Sequence, residues 1–142
     1  MALIRGSRGL IYFVHQFKPA FREAALLDDP EMLAAVTAIN RQVRELAPVL
    51  NGPTVTNGFS VQSSRSAAPV AAMMKRRGES TFLFAVNLRS EPTRATFTLR
   101  GKDAGQQVEV LGESREIGFQ GGSFSDEFGS YAVHLYQLRA AK

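Results

Sequence analysis

Residues 9–14 form a continuous apolar run, Gly-Leu-Ile-Tyr-Phe-Val, and this run limits what the chain can fold into. A strand with one solvent-facing side alternates between apolar and polar residues, whereas a parallel strand is covered on both faces and is apolar throughout. Such a strand needs neighbours on both edges and helices on its faces. We therefore predict a buried, parallel-type strand that belongs to an α/β arrangement.

A helix is predicted to follow this strand. Asp29 is placed to cap the free amides of its first turn, and Pro30 suits its first position. Apolar residues then recur at helical spacing and form one stripe, which predicts a core-packed helix that Pro48 ends by about Ala47. The stripe consists of Met32, Val36, Ile39, Val43, Leu46 and Leu50. Upstream of the strand, Met1 to Gly9 resembles the tail of another helix closed by glycine.

The pattern changes near Pro53, beyond which short apolar segments alternate with turn residues. Eight such segments predict an antiparallel β-sandwich. They are residues 55–62, 70–75, 81–88, 94–99, 107–111, 116–119, a short segment at Phe124, and residues 131–138. The alternate positions predicted to face the core are Phe82, Phe84, Val86 and Leu88, and later Tyr131, Val133 and Leu135.

With 142 residues, the chain is long enough for one domain, at most one domain plus a fragment of another. The two patterns are accordingly predicted to belong to two separate parts. A buried parallel-type strand and one helix cannot satisfy each other, so residues 1–50 are predicted to be the end of a longer helix–strand–helix series. Residues 51–142 are predicted to form the sandwich as a separate domain. The overall fold class is therefore mainly β, an antiparallel β-sandwich preceded by a strand–helix unit, and the family resemblance given below implies that this unit is a remnant of a (β/α)8 barrel, which needs roughly 250 residues.

Composition excludes several kinds of site and partner. The chain has no Cys, which removes disulfide scaffolds and thiolate metal sites. No apolar run approaches the roughly 20 residues of a membrane-spanning helix, so no membrane partner is expected. We predict no metal site and no cofactor, because the two His are isolated and no phosphate-binding or metalloprotease motif is present.

Positive charge is concentrated in one segment. Residues 55–102 hold eight basic residues against two acids, a net charge of +6 within a chain whose total is +4. Clustered cations are typical of nucleic-acid surfaces. Only Lys75-Arg76-Arg77 forms a true run, however, and it precedes Gly78 in a predicted hairpin turn without a recognition helix. An anion or nucleic-acid surface therefore ranks third among the functional hypotheses.

The candidates for chemistry are few. His15 ends the predicted parallel strand, and the carboxyl ends of such strands are where α/β folds build their sites, so His15 or Gln16 is a candidate to line a ligand pocket in an intact protein. A structural role is the favoured alternative for both residues. His134 lies in an alternating strand, which favours a structural or surface role. Asp126 and Glu127 are predicted to lie in a solvated turn before the last strand.

A cluster of acids near the predicted helix is explained by capping. Asp28, Asp29 and Glu31 lie at the helix start, where negative charge is favourable, and Glu23 precedes them in the same stretch. The two carboxylates of a glycosidase flank a cleft, and one loop-to-helix stretch is a poor source for both. No catalytic residue is predicted.

The order of these segments resembles a known family. Residues 8–17, Arg-Gly-Leu-Ile-Tyr-Phe-Val-His-Gln-Phe, followed by residues 32–36 and Ile39-Asn40, resemble the last strand and last helix of a TIM-barrel glycoside hydrolase of the β-galactosidase and cellulase-like type. Residues 70–73 leading to 84–87, and the ending at residues 128–136, resemble the small C-terminal β-sandwich that follows such barrels.

The resemblance implies a role in carbohydrate hydrolysis without catalysis by this chain. The family's catalytic carboxylates lie at the ends of its fourth and seventh barrel strands, and no acid here matches either position. The resemblance places His15 and Gln16 at the sugar cleft of an intact parent, with Phe17 and Lys18 at its rim. It implies a sandwich that braces the barrel, whose partner is the missing barrel portion or a second copy bound through the apolar stripe.

A carbohydrate-binding module is the second hypothesis. Flat aromatic rings stack on the apolar face of a sugar, and such platforms commonly use exposed Trp or Tyr. The chain has no Trp and three Tyr, all in predicted strands. An oligosaccharide is accordingly a possible ligand, while binding alone ranks behind the bracing role.

Overall fold

The computed structural model describes residues 1–101 and 107–139. The chain divides into two compact units: residues 8–51 form one, and residues 1–7 together with the segment from Gly52 onward form the other. No helix in these ranges combines the length and hydrophobicity that crossing a bilayer requires.

The first unit contains one long helix, α1 (Pro30–Leu50), preceded by a 3-10 helix at Ala25–Asp28. Asp29 caps α1 as predicted, since its Oδ1 accepts a hydrogen bond of 2.9 Å from the Met32 amide. The predicted end near Ala47 is wrong, because α1 continues through Pro48 to Leu50. Pro48 removes only its own amide bond, and the Asn51 amide still closes the last turn on the Ala47 carbonyl at 2.9 Å.

The apolar stripe of α1 is partly covered. Four of its six members, Val36, Val43, Leu46 and Leu50, are half-buried, whereas Met32 and Ile39 are exposed. The Tyr12 hydroxyl donates to Asn40 Oδ1 at 3.0 Å, which ties the preceding segment to the helix.

The predicted parallel strand at residues 9–14 does not form. The segment has no regular secondary structure, and Ile11 is 100% exposed. A strand of this kind depends on partners at both edges, and within the described residues no strand pairs with it. The helix tail predicted before it is a single 3-10 turn, Leu3–Arg5, closed by Gly6 at φ 101°.

The second unit is the predicted antiparallel β-sandwich, and all eight strands are present. They are β1 (Phe59–Ser63), β2 (Val70–Arg77), β3 (Ser80–Asn87), β4 (Thr93–Leu99), β5 (Gln107–Val110), β6 (Arg115–Gly118), β7 (Ser123–Phe128) and β8 (Val133–Leu138). One sheet has the order β1-β4-β7 and the other the order β2-β3-β8-β5-β6. The turn predicted between β2 and β3 contains Gly78 at φ 56°. The sequence also predicts a turn from Gly101 to Gly105, between β4 and β5, and of these residues only Gly101 lies within the described part of the chain.

The core between the two sheets uses the opposite side of β3 and β8 from the one predicted. Leu83 pairs with Tyr136 across the two strands, and both belong to the buried core. Phe84 is buried on the other face of β3, and Val133 and Tyr131 are exposed. Because β3 is buried along both faces, its apolar residues do not reveal which side meets the second sheet.

Candidate functional site

The best-defined polar site of the sandwich lies where its two sheets meet at β6, β7 and β8. Asp126 occupies an inward position of β7 between Phe124 and Phe128, and its side chain is only 10% exposed. It was predicted in a solvated turn, but it lies in a strand because β7 extends over six residues around Phe124. Burial of a carboxylate costs free energy unless donors surround it, so its partners define the site.

Four hydrogen bonds reach the Asp126 carboxylate. Arg115 of β6 donates from Nη1 to Oδ1 at 3.0 Å and from Nη2 to Oδ2 at 2.7 Å, a bidentate pair. Tyr136 of β8 donates its hydroxyl to Oδ2 at 2.9 Å, and the Glu127 amide donates to Oδ1 at 2.9 Å. Since Arg115 and Tyr136 belong to the five-stranded sheet and Asp126 to the other, these bonds join the sheets.

A second carboxylate extends the cluster towards the surface. Glu113, in the turn between β5 and β6, accepts from Arg115 Nε at 2.8 Å, and its other oxygen lies 2.5 Å from His134 Nδ1. His134 Nε2 lies 3.1 Å from the Glu127 carbonyl oxygen, which only accepts, so Nε2 is the donor. His134 therefore has the structural role favoured by its strand position.

The electrostatics of the cluster favour its ionised carboxylates. Burial alone would raise the pKa of Asp126, but the hydrogen bonds from Arg115, Tyr136 and the Glu127 amide outweigh burial and lower it. The pKa of Glu113 is lowered in the same way, against burial, by His134 and Arg115. Burial and the neighbouring Asp126 charge raise the pKa of Tyr136, which holds its hydroxyl as a donor.

This arrangement acts as a clamp between the sheets. We call Glu113, Arg115, Asp126, His134 and Tyr136 the inter-sheet clamp. Both Asp126 oxygens accept hydrogen bonds from protein donors, so the role of the carboxylate is to hold the two sheets together. In the described ranges no group of three or more metal-ligating side chains is placed to hold a metal ion.

The inter-sheet clamp was not predicted from the sequence. The sequence signal for it lies in β7. There Phe124, Asp126 and Phe128 occupy every second position and therefore lie on the same face of the strand. An acid flanked by two core aromatics at a spacing of two residues indicates a buried carboxylate that requires a cation. The identity of that cation depends on tertiary contacts, because Arg115 is on another strand.

His15 and Gln16 lie together in the other unit, in a closed loop. The Gln16 and Arg22 backbones exchange two hydrogen bonds of 3.0 and 2.9 Å, and His15 Nδ1 accepts from the Ala24 amide at 3.3 Å. We call residues 13–22 the aromatic loop.

The side chains of this loop form a ring of four aromatics. Phe13 lies 5.7 Å from Phe17, Phe17 lies 5.8 Å from Phe21, Phe21 lies 5.9 Å from His15, and His15 lies 5.4 Å from Phe13, all between ring centroids. The three phenylalanines are 62–69% exposed. Contiguous exposed apolar surface of this kind marks a binding site for a partner or a ligand.

The basic run Lys75-Arg76-Arg77 does not form a continuous charged surface. Lys75 is 6% exposed, and its Nζ donates to the Gly52 carbonyl at 2.6 Å. Elsewhere in the basic segment, Arg94 forms an ion pair with Glu127 at 2.6 Å. Lys75 and Arg94 are therefore engaged by protein groups, which reduces the cationic surface that this segment offers to an anion.

These observations define a two-sheet antiparallel β-sandwich with a buried polar clamp, joined to a helical unit with an exposed aromatic loop. Comparisons with protein-family models and with curated protein sequences give no match. Solved structures that this chain resembles include two α-amylases and a GH30 endoxylanase.

Two of these structures are α-amylases. The enzyme from Anoxybacillus matches 80% of this chain at 17% identity with a TM-score of 0.55. The α-amylase from Geobacillus thermoleovorans, solved with acarbose, matches 80% at 17% identity with a TM-score of 0.58. The match covers 24% of each α-amylase, so this chain corresponds to about a quarter of their length. At this identity the likeness establishes the fold.

A GH30 endoxylanase from Clostridium papyrosolvens C71 matches 61% of the chain at 14% identity with a TM-score of 0.43, and it covers 25% of that enzyme. This likeness is too weak to carry an argument.

Proposed function

We propose that the chain is the non-catalytic C-terminal part of a glycoside hydrolase and that its sandwich braces the catalytic barrel. In this proposal residues 1–50 complete the barrel and residues 51–142 form the accessory sandwich. The observation that carries the proposal is the match of 80% of this chain to about a quarter of two α-amylases. A part of that size leaves room for a separate catalytic domain in the parent protein.

The chemistry of the described acids supports a bracing role. Asp126 and Glu113 are held in the inter-sheet clamp, Asp29 caps α1, and Asp28 is paired with Arg22 at 2.5 Å. A sandwich whose two sheets are joined by a partly buried ion pair suits a part that supports a neighbouring domain.

The helical unit supplies the surface that a barrel would cover. Ile11 is fully exposed, and Leu10 next to it is also exposed. The same residues 9–14 have the apolar pattern of a strand that is paired on both edges. In the intact parent they would pair within the barrel, which would place His15 and Gln16 at the carboxyl end of that strand, facing the sugar cleft.

The coding sequence next to Met1 tests the proposal. We expect an open frame that encodes two glutamates at the ends of predicted barrel strands. A promoter and ribosome-binding site directly before Met1 would contradict it. Sedimentation gives a second test: a compact monomer that binds no hydrophobic dye would also count against an uncovered barrel interface.

A carbohydrate-binding role is the second candidate, and the aromatic loop favours it. On sequence grounds this role ranks behind bracing, because the chain lacks Trp. The three exposed phenylalanines of the loop supply aromatic surface that the tyrosines do not.

A further inference from the structure

We propose that the aromatic loop binds a pyranose ring of an oligosaccharide, with Phe13, Phe17 and Phe21 contacting its apolar face and His15 and Gln16 bonding its hydroxyls. This inference rests on the carbohydrate-related function proposed above, and it assigns a ligand surface to this chain itself. It requires an exposed apolar platform, a fixed backbone and polar atoms in the same loop that make no hydrogen bond within the described residues.

The platform is exposed and continuous. Phe17 contacts Phe13 in a stacked arrangement at 25° between ring planes, and it contacts Phe21 at 39°. Aromatic faces carry partial negative charge, and the C–H groups on one face of a pyranose carry partial positive charge, so stacking is favourable electrostatically as well as by burial of apolar area.

The backbone of the loop is held before any ligand arrives. Gln16 and Arg22 exchange two backbone hydrogen bonds, and the Leu26 amide donates to the Val14 carbonyl at 3.2 Å. The Arg22 side chain is paired with Asp28. A preorganised loop avoids the entropic cost of ordering upon binding, which raises affinity for a given contact surface.

His15 supplies a hydrogen-bond donor within the ring of aromatics. Because the Ala24 amide donates to Nδ1, Nδ1 holds a lone pair and the ring proton is assigned to Nε2. Among the described residues Nε2 has no hydrogen-bond acceptor. The imidazole packs edge to face against Phe13, at 82° between ring planes, which holds its orientation.

Gln16 supplies the complementary acceptor. Its Nε2 donates to the Lys18 carbonyl, which orients the amide group. Its Oε1 makes no hydrogen bond with the described residues and is available to accept. A donor and an acceptor on adjacent residues match sugar hydroxyls, each of which both donates and accepts.

These polar groups favour a saccharide over an apolar protein surface. A wholly apolar partner would bury the Nε2 proton of His15 without an acceptor, and an unsatisfied buried donor weakens binding. An oligosaccharide covers the rings with its C–H face and satisfies His15 and Gln16 with its hydroxyls.

Titration of the full chain with maltoheptaose, cellohexaose and xylohexaose tests the proposal by calorimetry and by NMR. At least one of these probes should saturate and shift the amide signals of residues 13–22 and the Nε2 signal of His15. Phe17→Ala should weaken binding about tenfold or more. His15→Phe keeps an aromatic ring and removes the donor, so it should weaken binding about fivefold, the effect of one net hydrogen bond.

Tyr131→Ala is the matched control, since Tyr131 is an exposed aromatic residue on the sandwich unit. Its affinity should equal that of the wild type, and circular dichroism should show that all variants keep the native fold. Saturation that is unchanged in Phe17→Ala would overturn the aromatic-loop site while leaving a carbohydrate function in place.

Two further outcomes separate this inference from the bracing function. If no probe shifts the loop signals and the chain self-associates in a way that Phe17→Ser abolishes, the loop is a protein interface and the saccharide proposal is wrong. If the adjoining coding sequence lacks a catalytic domain but Phe17→Ala abolishes saccharide binding, the bracing function fails and the aromatic-loop site stands.

Discussion

The guanidinium of Arg115 lies against the carboxylate of Asp126 with two hydrogen bonds of 3.0 and 2.7 Å, and this pair joins an edge strand of each sheet. The Tyr136 hydroxyl donates to the same carboxylate from the middle of the five-stranded sheet. The ion pair adds a directional contact between the two sheets to the apolar packing of the core.

Removal of the clamp cation should destabilise the sandwich. Arg115→Ala leaves the buried Asp126 carboxylate with fewer donors, and we expect a loss of about 2 kcal/mol in the free energy of unfolding, because the pair is partly solvated on the arginine side. Urea unfolding followed by circular dichroism measures it. Arg94→Ala is the control: its pair with Glu127 is more than 60% exposed at both ends, so its loss should stay below about 1 kcal/mol. Equal losses in the two variants would contradict the clamp.

The contribution of the Tyr136 hydroxyl to stability can be tested without disturbing the core. Tyr136→Phe keeps the ring, which packs against Phe97 and Phe124, and deletes one hydrogen bond to Asp126. We expect a loss of about 1–2 kcal/mol and a rise in the pKa of Asp126, measured by NMR of its carboxyl carbon. Tyr131→Phe, at an exposed position, should change neither quantity. An unchanged Asp126 pKa in Tyr136→Phe would show that the hydroxyl does not stabilise the charge.

Stability should fall on acidification through the clamp carboxylates. The pKa values of Asp126 and Glu113 are lower in the folded state than in the unfolded chain, so the unfolded state binds protons first as the pH drops. Their stabilisation is complete above their ordinary pKa values of about 4 and is lost as the pH falls through the lower folded values.

Urea midpoints between pH 6 and pH 2 measure this loss. In the double variant Asp126→Asn/Glu113→Gln, the urea midpoint should fall less steeply as the pH is lowered. The exposed control Glu127→Gln should keep the wild-type slope of midpoint against pH. An unchanged slope in the double variant would assign the acid sensitivity to other groups.

Gly58 is a position where a single methyl group has no room. A Cβ there would lie 2.7 Å from Met74 Sδ and 2.7 Å from Val55 Cγ1, and Met74 is buried. Gly58→Ala should therefore cost about 1–3 kcal/mol through overpacking, measured by thermal or urea unfolding.

Gly118 is the matched control for this prediction, since a Cβ there meets nothing within 4 Å. Gly118→Ala should change stability little. In a Met74→Ala background the cost of Gly58→Ala should shrink because the clashing sulfur is gone. A cost that is the same in both backgrounds would assign the effect to the Val55 contact or to the backbone and not to Met74.

The N-cap of α1 offers a test in the other unit. Asp29→Ala removes the 2.9 Å bond to the Met32 amide and should cost about 1 kcal/mol, seen as faster hydrogen exchange in the first turn of the helix. Asp29→Ser retains a capping oxygen and should restore most of the protection. Protection that is unchanged in Asp29→Ala would show that packing alone holds the helix start.

The sequence by itself determined the eight strands, the turn at Gly78 and the start of α1 at Asp29 and Pro30, because alternation, turn residues and capping act over a few neighbouring residues. Tertiary structure decided which faces of β3 and β8 meet the other sheet. Both sides of β3 are apolar, so only the packing of the sheets selects Leu83 and Tyr136 for the core.

Tertiary structure also decided the state of residues 9–14, whose apolar pattern predicts a strand that lacks pairing partners among the described residues. It likewise assembled the inter-sheet clamp, because Arg115, Asp126 and Tyr136 are brought together from three strands by pairings that no local pattern encodes.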